Sequence, residues 1–363
     1  MSIQTPISSK PDFREATNLL RGICALSVLL GHYKFVFNSD ADFLASRPFD
    51  DFLSVLYDNS GESVRIFWMI SGLILTHTYI NQAKVRARNF LVARFARLYP
   101  VHVVSLLIVT LLQQISMSNF KKNEIYGDND IYHFLLNIFF IQGWGFEKSY
   151  SFNAPTWSVS VELAVYAIFF VSQGLLFKHR IRLAIGLLIC LKIFSLSGIR
   201  LSGLFFYNCL VDFTAGVIVF FIAENFKRRR NSIVWLGLVF LSCLIFVVPA
   251  RLSVLNLEPS LLKFVRLALI VLIAAQADLI GFSKCLKKIG LLGELSYSAF
   301  LWHTPILIVV NLAQESAWLS EVIGGNESFL FIYLVATYST SFLSLKFIEQ
   351  PAQRYLRKKF IRT

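Results

Sequence analysis

Two side chains eleven residues apart carry the first chemistry in the chain, Arg21 and His32 in NLLRGICALSVLLGHYKF. Eleven residues is close to three turns of α-helix, so both project from nearly one face, about 16 Å apart along the axis. An imidazole suits removal of a proton from a hydroxyl near neutral pH, and a guanidinium is a fork for phosphate or carboxylate. A second pair, Arg94 and Arg97 in RFARLYP, stands at i and i+3 on one helical face. Two forks so arranged suit a polyphosphate, although the same residues would serve as ordinary loop charge. TWSVSVE sets Trp157 at interfacial depth with Ser158 and Glu162 at i and i+4. A carboxylate there needs a partner, and the nearest sensible one is His32. Ser71 and Gly72 in FWMISGLIL are small residues at mid-span, suited to tight helix packing or to clearing a channel for a thin ligand. GELSYSAFLWH adds Ser296, Tyr297 and His303, and YNCLVDFTAG adds Asp212. For His303 and Asp212 a buried hydrogen bond within the protein is the plain alternative to a functional role.

These residues need long apolar elements to hold them, and the composition supplies little else. Of 363 residues, 56% are hydrophobic and 16% charged, with a mean hydropathy of +0.61. No water-exposed fold hides that many apolar runs, so lipid must solvate their outer surfaces. The expected fold is all-α, a polytopic integral membrane protein of about ten transmembrane helices, in a single domain over residues 1–363. The spans are expected at 17–37, 62–80, 98–115, 157–177, 183–198, 204–223, 232–249, 262–280, 290–313 and 328–348. The apolar segment 131–142 is too short to cross about 30 Å of hydrocarbon and reads as an interfacial or re-entrant piece.

Loop charge orients the spans. Lys84, Arg86, Arg88, Arg94 and Arg97 crowd one loop, Lys227, Arg228, Arg229 and Arg230 another, and the tail ends RYLRKKFIRT. Segment 38–61, by contrast, sets Arg47 against Asp40, Asp42, Asp50, Asp51 and Asp58, and loop 314–327 has three Glu and no basic residue. The long loop 116–156 is mixed. The alternation puts both termini in the cytoplasm. It also explains the net charge of +13 without nucleic acid, because the basic residues sit between apolar runs. Cys24, Cys190, Cys209, Cys243 and Cys285 form no CxxC pair, and no metal-ligand spacing with histidine is present.

In this order and at these spacings, the motifs resemble the membrane-bound acyltransferase family 3, whose members O-acetylate bacterial surface polysaccharides. The resemblance runs from residue 14 to about 352. Arg21 and His32 match its basic residue, ten intervening residues and histidine, and Arg94 and Arg97 its R-x-x-R. FWMISG matches its aromatic segment ending in Ser-Gly, TWSVSVE its W-S-x-x-x-E, GELSYSAFLWH its late G-x-x-S-Y element with histidine, and FIEQP, with Glu349 and Pro351, its closing E-x-P. Leu163, Ala164 and Val165 depart from the acidic residue and glutamine that often follow the glutamate, which leaves a second carboxylate without support.

The resemblance implies acetyl-CoA as a co-substrate on the cytoplasmic side, with no bound cofactor and no metal, and a glycan or lipid-linked sugar hydroxyl as acceptor outside a bacterial inner membrane. On that pattern Arg21, Arg94, Arg97, Ser71 and Gly72 bind the donor. His32 acts as general base or acyl relay, and Glu162 orients the imidazole or binds the glycan. Trp157, Ser158, Tyr297, His303 and Asp212 serve the acceptor or support the site. Some relatives append an extracytoplasmic domain, and with fifteen residues after the last expected span none is expected here. The acceptor stays open among O-antigen, capsule, exopolysaccharide, peptidoglycan and a lipid-linked sugar, and so does the oligomeric state. A secondary transporter of a sugar or acidic metabolite is the alternative that buried His, Asp and Glu would also suit; it would favour two-fold internal repeats, and none is visible.

Overall fold

The first helix, α1 (Glu15–His32), is held at its start by a carboxylate 262 residues away in the chain. The first turn of a helix has backbone N–H groups with no partner inside the helix. Asp278 accepts two of them, from Ala16 at 2.7 Å and Thr17 at 3.1 Å, and the Thr17 hydroxyl at 3.0 Å. Both Thr17 and Asp278 are buried. Asp278→Ala is expected to leave these donors unpaired and lower stability by about 2–4 kcal/mol. Thermal unfolding of the purified protein would read this as a lowered Tm, with Asp278→Asn falling between.

The computed structural model describes residues 13–37, 39–80, 82, 86–147, 149–179, 181–196, 204–229, 259–279, 290–315 and 326–361. After α1 come two short helices, α2 (Asp40–Ser46) and α3 (Asp50–Asp58), then α4 (Ser60–Tyr79) and the long α5 (Ala87–Phe120). The short α6 (Ile131–Ile138) precedes α7 (Trp157–His179), α8 (Ile181–Leu196), α9 (Leu204–Arg229), α10 (Pro259–Leu279) and α11 (Leu291–Gln314). Then α12 (Asn326–Ser344) passes through a π-turn, Leu345–Glu349, into α13 (Gln350–Phe360). Among the described residues there is no strand.

Six helical segments are long and apolar enough to cross a membrane: Glu15–Val36, Ala87–Phe120, Ala154–Leu176, Phe205–Asn225, Leu291–Gln314 and Asn326–Phe360. Helices also occupy the expected spans at α4, α8 and α10, whereas the expected span 232–249 lies outside the described residues. Glu62, Arg65 and His77 dilute the apolar content of α4, and Lys263, Arg266 and Asp278 punctuate α10. Enclosure answers for α4, which packs on α1, α7, α9 and α10.

The helices fall into two opposed directions. Asn18 meets Gly293 near the start of α1 and α11, and His32 stands beside His303 farther along, so these helices are parallel. The helix α4 begins against Gly31 at the end of α1 and finishes with His77 against Phe13, ahead of α1. It is antiparallel to α1. The helix α9 follows α4, from the Arg65–Asp212 pair to the His77–Phe220 contact. The helix α12 opposes α1, with Tyr33 Oη donating to the Asn326 carbonyl and Tyr333 Oη to the Leu29 carbonyl. Among these, the first and ninth expected spans run one way and the second, sixth and tenth the other.

Between α5 and α7 the chain caps one end of the bundle. Glu124 is buried there, accepting from Ser116 at 2.9 Å, while its backbone is paired with Gln113. Four of the five non-glycine residues at positive φ among the described residues lie here: Lys121, Ile125, Phe140 and Phe152. β-Branched Ile125 at φ 63° is the most strained of them. Asp130 starts α6 by accepting from the His133 backbone N–H and then its ring Nδ1. Those bonds hold its carboxyl below the ordinary value, so their contribution is present at neutral pH and is lost as pH falls through the lowered value. At eight residues α6 is about 12 Å long, which agrees with a segment too short to span.

Candidate functional site

Two cavities meet inside the bundle. The first is lined by Arg21 from α1, Arg94 and Arg97 from α5, and Glu162 and Tyr166 from α7. Ser71 from α4 and Tyr297 from α11 complete its polar lining together with Ser158 and Ser296. The second lies toward the cap and is lined by His32, Lys34 and the rings of Phe35, Tyr126, Tyr150 and Trp157. Val64, Ser158 and Phe300 line both. They form a wall from three helices between an arginine cavity and a histidine cavity.

The arginine cavity gathers side chains from distant parts of the chain, and it brings together the three arginines that the family resemblance groups. Among the described residues Arg21, Arg94 and Arg97 enter no ion pair within 4.0 Å. Arg94 lies 5.9 Å over the ring of Tyr166, and its Nε is buried without a hydrogen-bond partner. Arg21 lies in the field of Arg97, Tyr166, Glu162 and Glu349. The two carboxylates do not consume the arginines. Tyr166 Oη donates to Glu162 at 2.6 Å, and Ser298 and Gln353 donate to Glu349 at 2.9 and 3.0 Å. Unpaired guanidinium forks around a cavity form a receptor for a multiply charged anion.

In the histidine cavity, tautomers follow from geometry. His32 Nδ1 lies 2.9 Å from the Val28 carbonyl, and a carbonyl only accepts, so Nδ1 carries the proton. Nε2 is left with its lone pair, the form a general base needs. The same argument protonates Nδ1 of His303, 2.7 Å from the Phe300 carbonyl. The two imidazoles meet edge to face, with centroids 4.9 Å apart. His303 is fully buried and backs His32 from α11.

Several expectations need correction. Glu162 was expected beside His32, but its neighbours are Ser71, Tyr166, Arg21 and Arg97, whereas those of His32 are the Val28 carbonyl, Lys34 and the ring of His303. The reason is depth: Glu162 lies one turn, about 6 Å, beyond Ser158, which itself stands in the shared wall. Gly72 does not line the cavity. Adjacent helix positions differ by about 100°, so Ser71 faces the arginines while Gly72 faces α9, where a Cβ would overlap the Phe213 carbonyl. Gly72→Ala is expected to reduce the yield of folded protein, measured by size-exclusion recovery, without a selective effect on ligand affinity in what folds. Asp212 is taken by Arg65, whose Nε and Nη2 reach its two oxygens at 2.8 and 3.0 Å. The pair ties α4 to α9. Tyr297, expected to serve the acceptor or support the site, lines the arginine cavity and donates to the Leu98 carbonyl at 2.6 Å, locking α11 to α5.

Other residues had no distinct signal in the sequence. Tyr126 and Tyr150 belong to the aperiodic loop 116–156, and only the fold turns them toward His32. Asn153 is buried and donates to the Leu301 carbonyl at 2.9 Å and Ser105 Oγ at 3.2 Å, which fixes the turn leading into Trp157. Gln353 and Arg357 follow Glu349 of the closing E-x-P at four-residue steps along one stripe, and Arg357 lies in the field of Arg94 and Arg97.

Residues 14–346 match the acyltransferase domain of the acyltransferase 3 family. The chain belongs to that family. The peptidoglycan O-acetyltransferase OatA of Listeria monocytogenes serovar 1/2a is 23% identical over 335 residues, 80% of this chain and 51% of the relative. The acyltransferase MdmB of Streptomyces mycarofaciens is 24% identical over 315 residues, 79% of this chain and 77% of the relative. The chain thus spans about half the length of OatA. No solved structure matches. The acyltransferase 3 match covers both cavities but stops short of Glu349 and α13.

Proposed function

We propose that this acyltransferase 3 protein moves an acetyl group from acetyl-CoA, bound from the cytoplasm, to a sugar hydroxyl of a surface glycan on the outer face of a bacterial inner membrane. The observation that carries the proposal is the pair of cavities with a common wall, one lined by unpaired arginines and the other by His32 among aromatic rings. Arg21, Arg94 and Arg97 hold the donor's phosphates, with Arg357 in the field of the last two. The pantetheine arm spans the distance from Arg21 toward His32, about 16 Å along α1. Phe35, Tyr126, Tyr150 and Trp157 offer apolar faces on which a sugar ring packs, a platform that suits a glycan acceptor. His32 Nε2 takes the hydroxyl proton as the oxygen attacks the thioester carbonyl; the carbon–oxygen bond forms, the carbon–sulfur bond breaks, and CoA leaves as thiolate. Glu162 and Tyr166 position the arginine side.

This reading takes ten spans and both termini in the cytoplasm. The opposed helix directions support it, as does the basic character of Arg86, Arg88 and α13, gathered where Arg88 meets Phe360. O-acetylation is named for one relative, OatA, with peptidoglycan as the acceptor. For this chain the choice among peptidoglycan, O-antigen, capsule, exopolysaccharide and a lipid-linked sugar is made by mass spectrometry of glycan from deletion and complemented strains. Binding of radiolabelled acetyl-CoA to the purified protein tests the donor. A protein that binds none, as a sugar transporter would, overturns the proposal.

A further inference from the structure

The wall between the cavities imposes a condition on the reaction. His32 lines only the histidine cavity, and Arg21, Arg94 and Arg97 line only the arginine cavity. The two cavities adjoin at Val64, Ser158 and Phe300, so a donor held by the arginines reaches His32 most directly along these three side chains. Val64 comes from α4, Ser158 from α7 and Phe300 from α11, so the opening is framed on three sides. Ser158 and Phe300 are held in place, and Val64 is half-buried beside them. Ser158 Oγ donates to the Pro155 carbonyl at 3.0 Å, and its own carbonyl accepts from Trp68 Nε1 at 3.2 Å. The ring of Phe300 is buried and stands edge-on to Phe67 at 6.4 Å and tilted against His303 at 5.7 Å. A side chain so wedged does not swing aside freely, since repacking a dense interior is costly.

We infer that Val64, Ser158 and Phe300 form an acyl-size filter that admits the acetyl thioester to His32, rejects longer acyl chains and keeps water from the thioester. The inference rests on the proposed donor and acceptor sides. With an acceptor present, the acyl carbon exchanges its bond to sulfur for one to the sugar oxygen, the hydroxyl proton goes to His32 and the electron pair leaves on the CoA sulfur. When water takes the acceptor's place, the same exchange yields a free carboxylic acid and CoA, which the filter suppresses.

The test uses the purified full chain in lipid nanodiscs, with acetyl-, propionyl- and butyryl-CoA and release of the CoA thiol followed with and without glycan acceptor. Phe300→Ala is expected to raise the butyryl-to-acetyl ratio of kcat/KM about tenfold, the scale on which a pocket discriminates by a methylene or two. Acceptor-independent thiol release is expected to rise with it. Val64→Ala removes less volume and serves where Phe300→Ala does not fold; the same change of ratio, smaller in size, is expected. Val64→Phe narrows the opening and is expected to retain binding of labelled acetyl-CoA while losing transfer. An unchanged chain-length ratio and unchanged hydrolysis in folded Phe300→Ala or Val64→Ala protein would overturn the filter. If the unmodified protein binds no acetyl-CoA at all, the donor assignment itself falls, and this outcome is distinct from the first.

Discussion

Replacing His32 by alanine is expected to reduce acetyl transfer to the surface glycan about a thousandfold, the contribution of a well-placed general base, while acetyl-CoA binding persists. The split follows from the two cavities. The imidazole lines the cavity away from the arginines, and its Nδ1 is committed to the Val28 carbonyl. Only Nε2 is available to the acceptor. Loss of the ring removes the base and leaves Arg21, Arg94 and Arg97 unaltered. His32→Gln keeps a polar group but cannot accept a proton at neutral pH and is expected to be equally inactive. Purified variants assayed for transfer and for binding of labelled acetyl-CoA would test this. Undiminished transfer in folded His32→Ala protein overturns the role. A covalent acyl-histidine, if trapped on the unmodified enzyme with a slow acceptor, assigns His32 as relay rather than base.

The second large effect concerns Arg97, which faces Arg21 across the arginine cavity with no ion pair among the described residues. Arg97→Ala is expected to weaken acetyl-CoA binding about 10- to 100-fold, as loss of a charge-assisted contact does. The affinity of the unmodified protein should fall with added salt, and that dependence should be shallower in the variant. Arg97→Lys keeps the charge without the fork and is expected to fall between. Equal affinity in all three forms overturns the assignment. Arg65 offers a contrast, because its guanidinium is paired with Asp212. Its loss should reduce folded protein rather than select against the donor.

What the sequence revealed and what it concealed divide along the reach of local periodicity. Arg21 with His32, and Arg94 with Arg97, were legible because helical spacing alone sets which residues share a face. Helices occupy the expected spans at α1, α4, α5 and α7 to α12, whereas α2 and α3 lie in the acidic segment 38–61, which no apolar run marks. The partners of Glu162 and Asp212 were not legible. Tyr166 on its own helix and Ser71 on α4 settle the first and Arg65 the second, and a single sequence carries no record of the helix rotation and relative depth that bring Ser71 and Arg65 into place. Asp278 hid for the same reason: a carboxylate near the end of an apolar run gives no sign that it caps a helix 262 residues earlier. Tyr126 and Tyr150 lie in an irregular loop, where no period tells which way a ring points.

The common wall of Val64, Ser158 and Phe300 has an electrical consequence. On the proposed reaction the acetyl group crosses it uncharged, but the proton and the thiolate part company. The hydroxyl proton is shed on the outer side through His32, and the CoA sulfur collects its proton from the cytoplasm. Each turnover thus displaces one positive charge outward without carrying any ion through the protein. An interior-negative membrane opposes such displacement by about 2.3 kcal/mol per 100 mV. Acetylation in sealed vesicles should therefore slow or stop short when that potential is imposed and recover when an ionophore collapses it, which makes surface acetylation responsive to the energetic state of the cell.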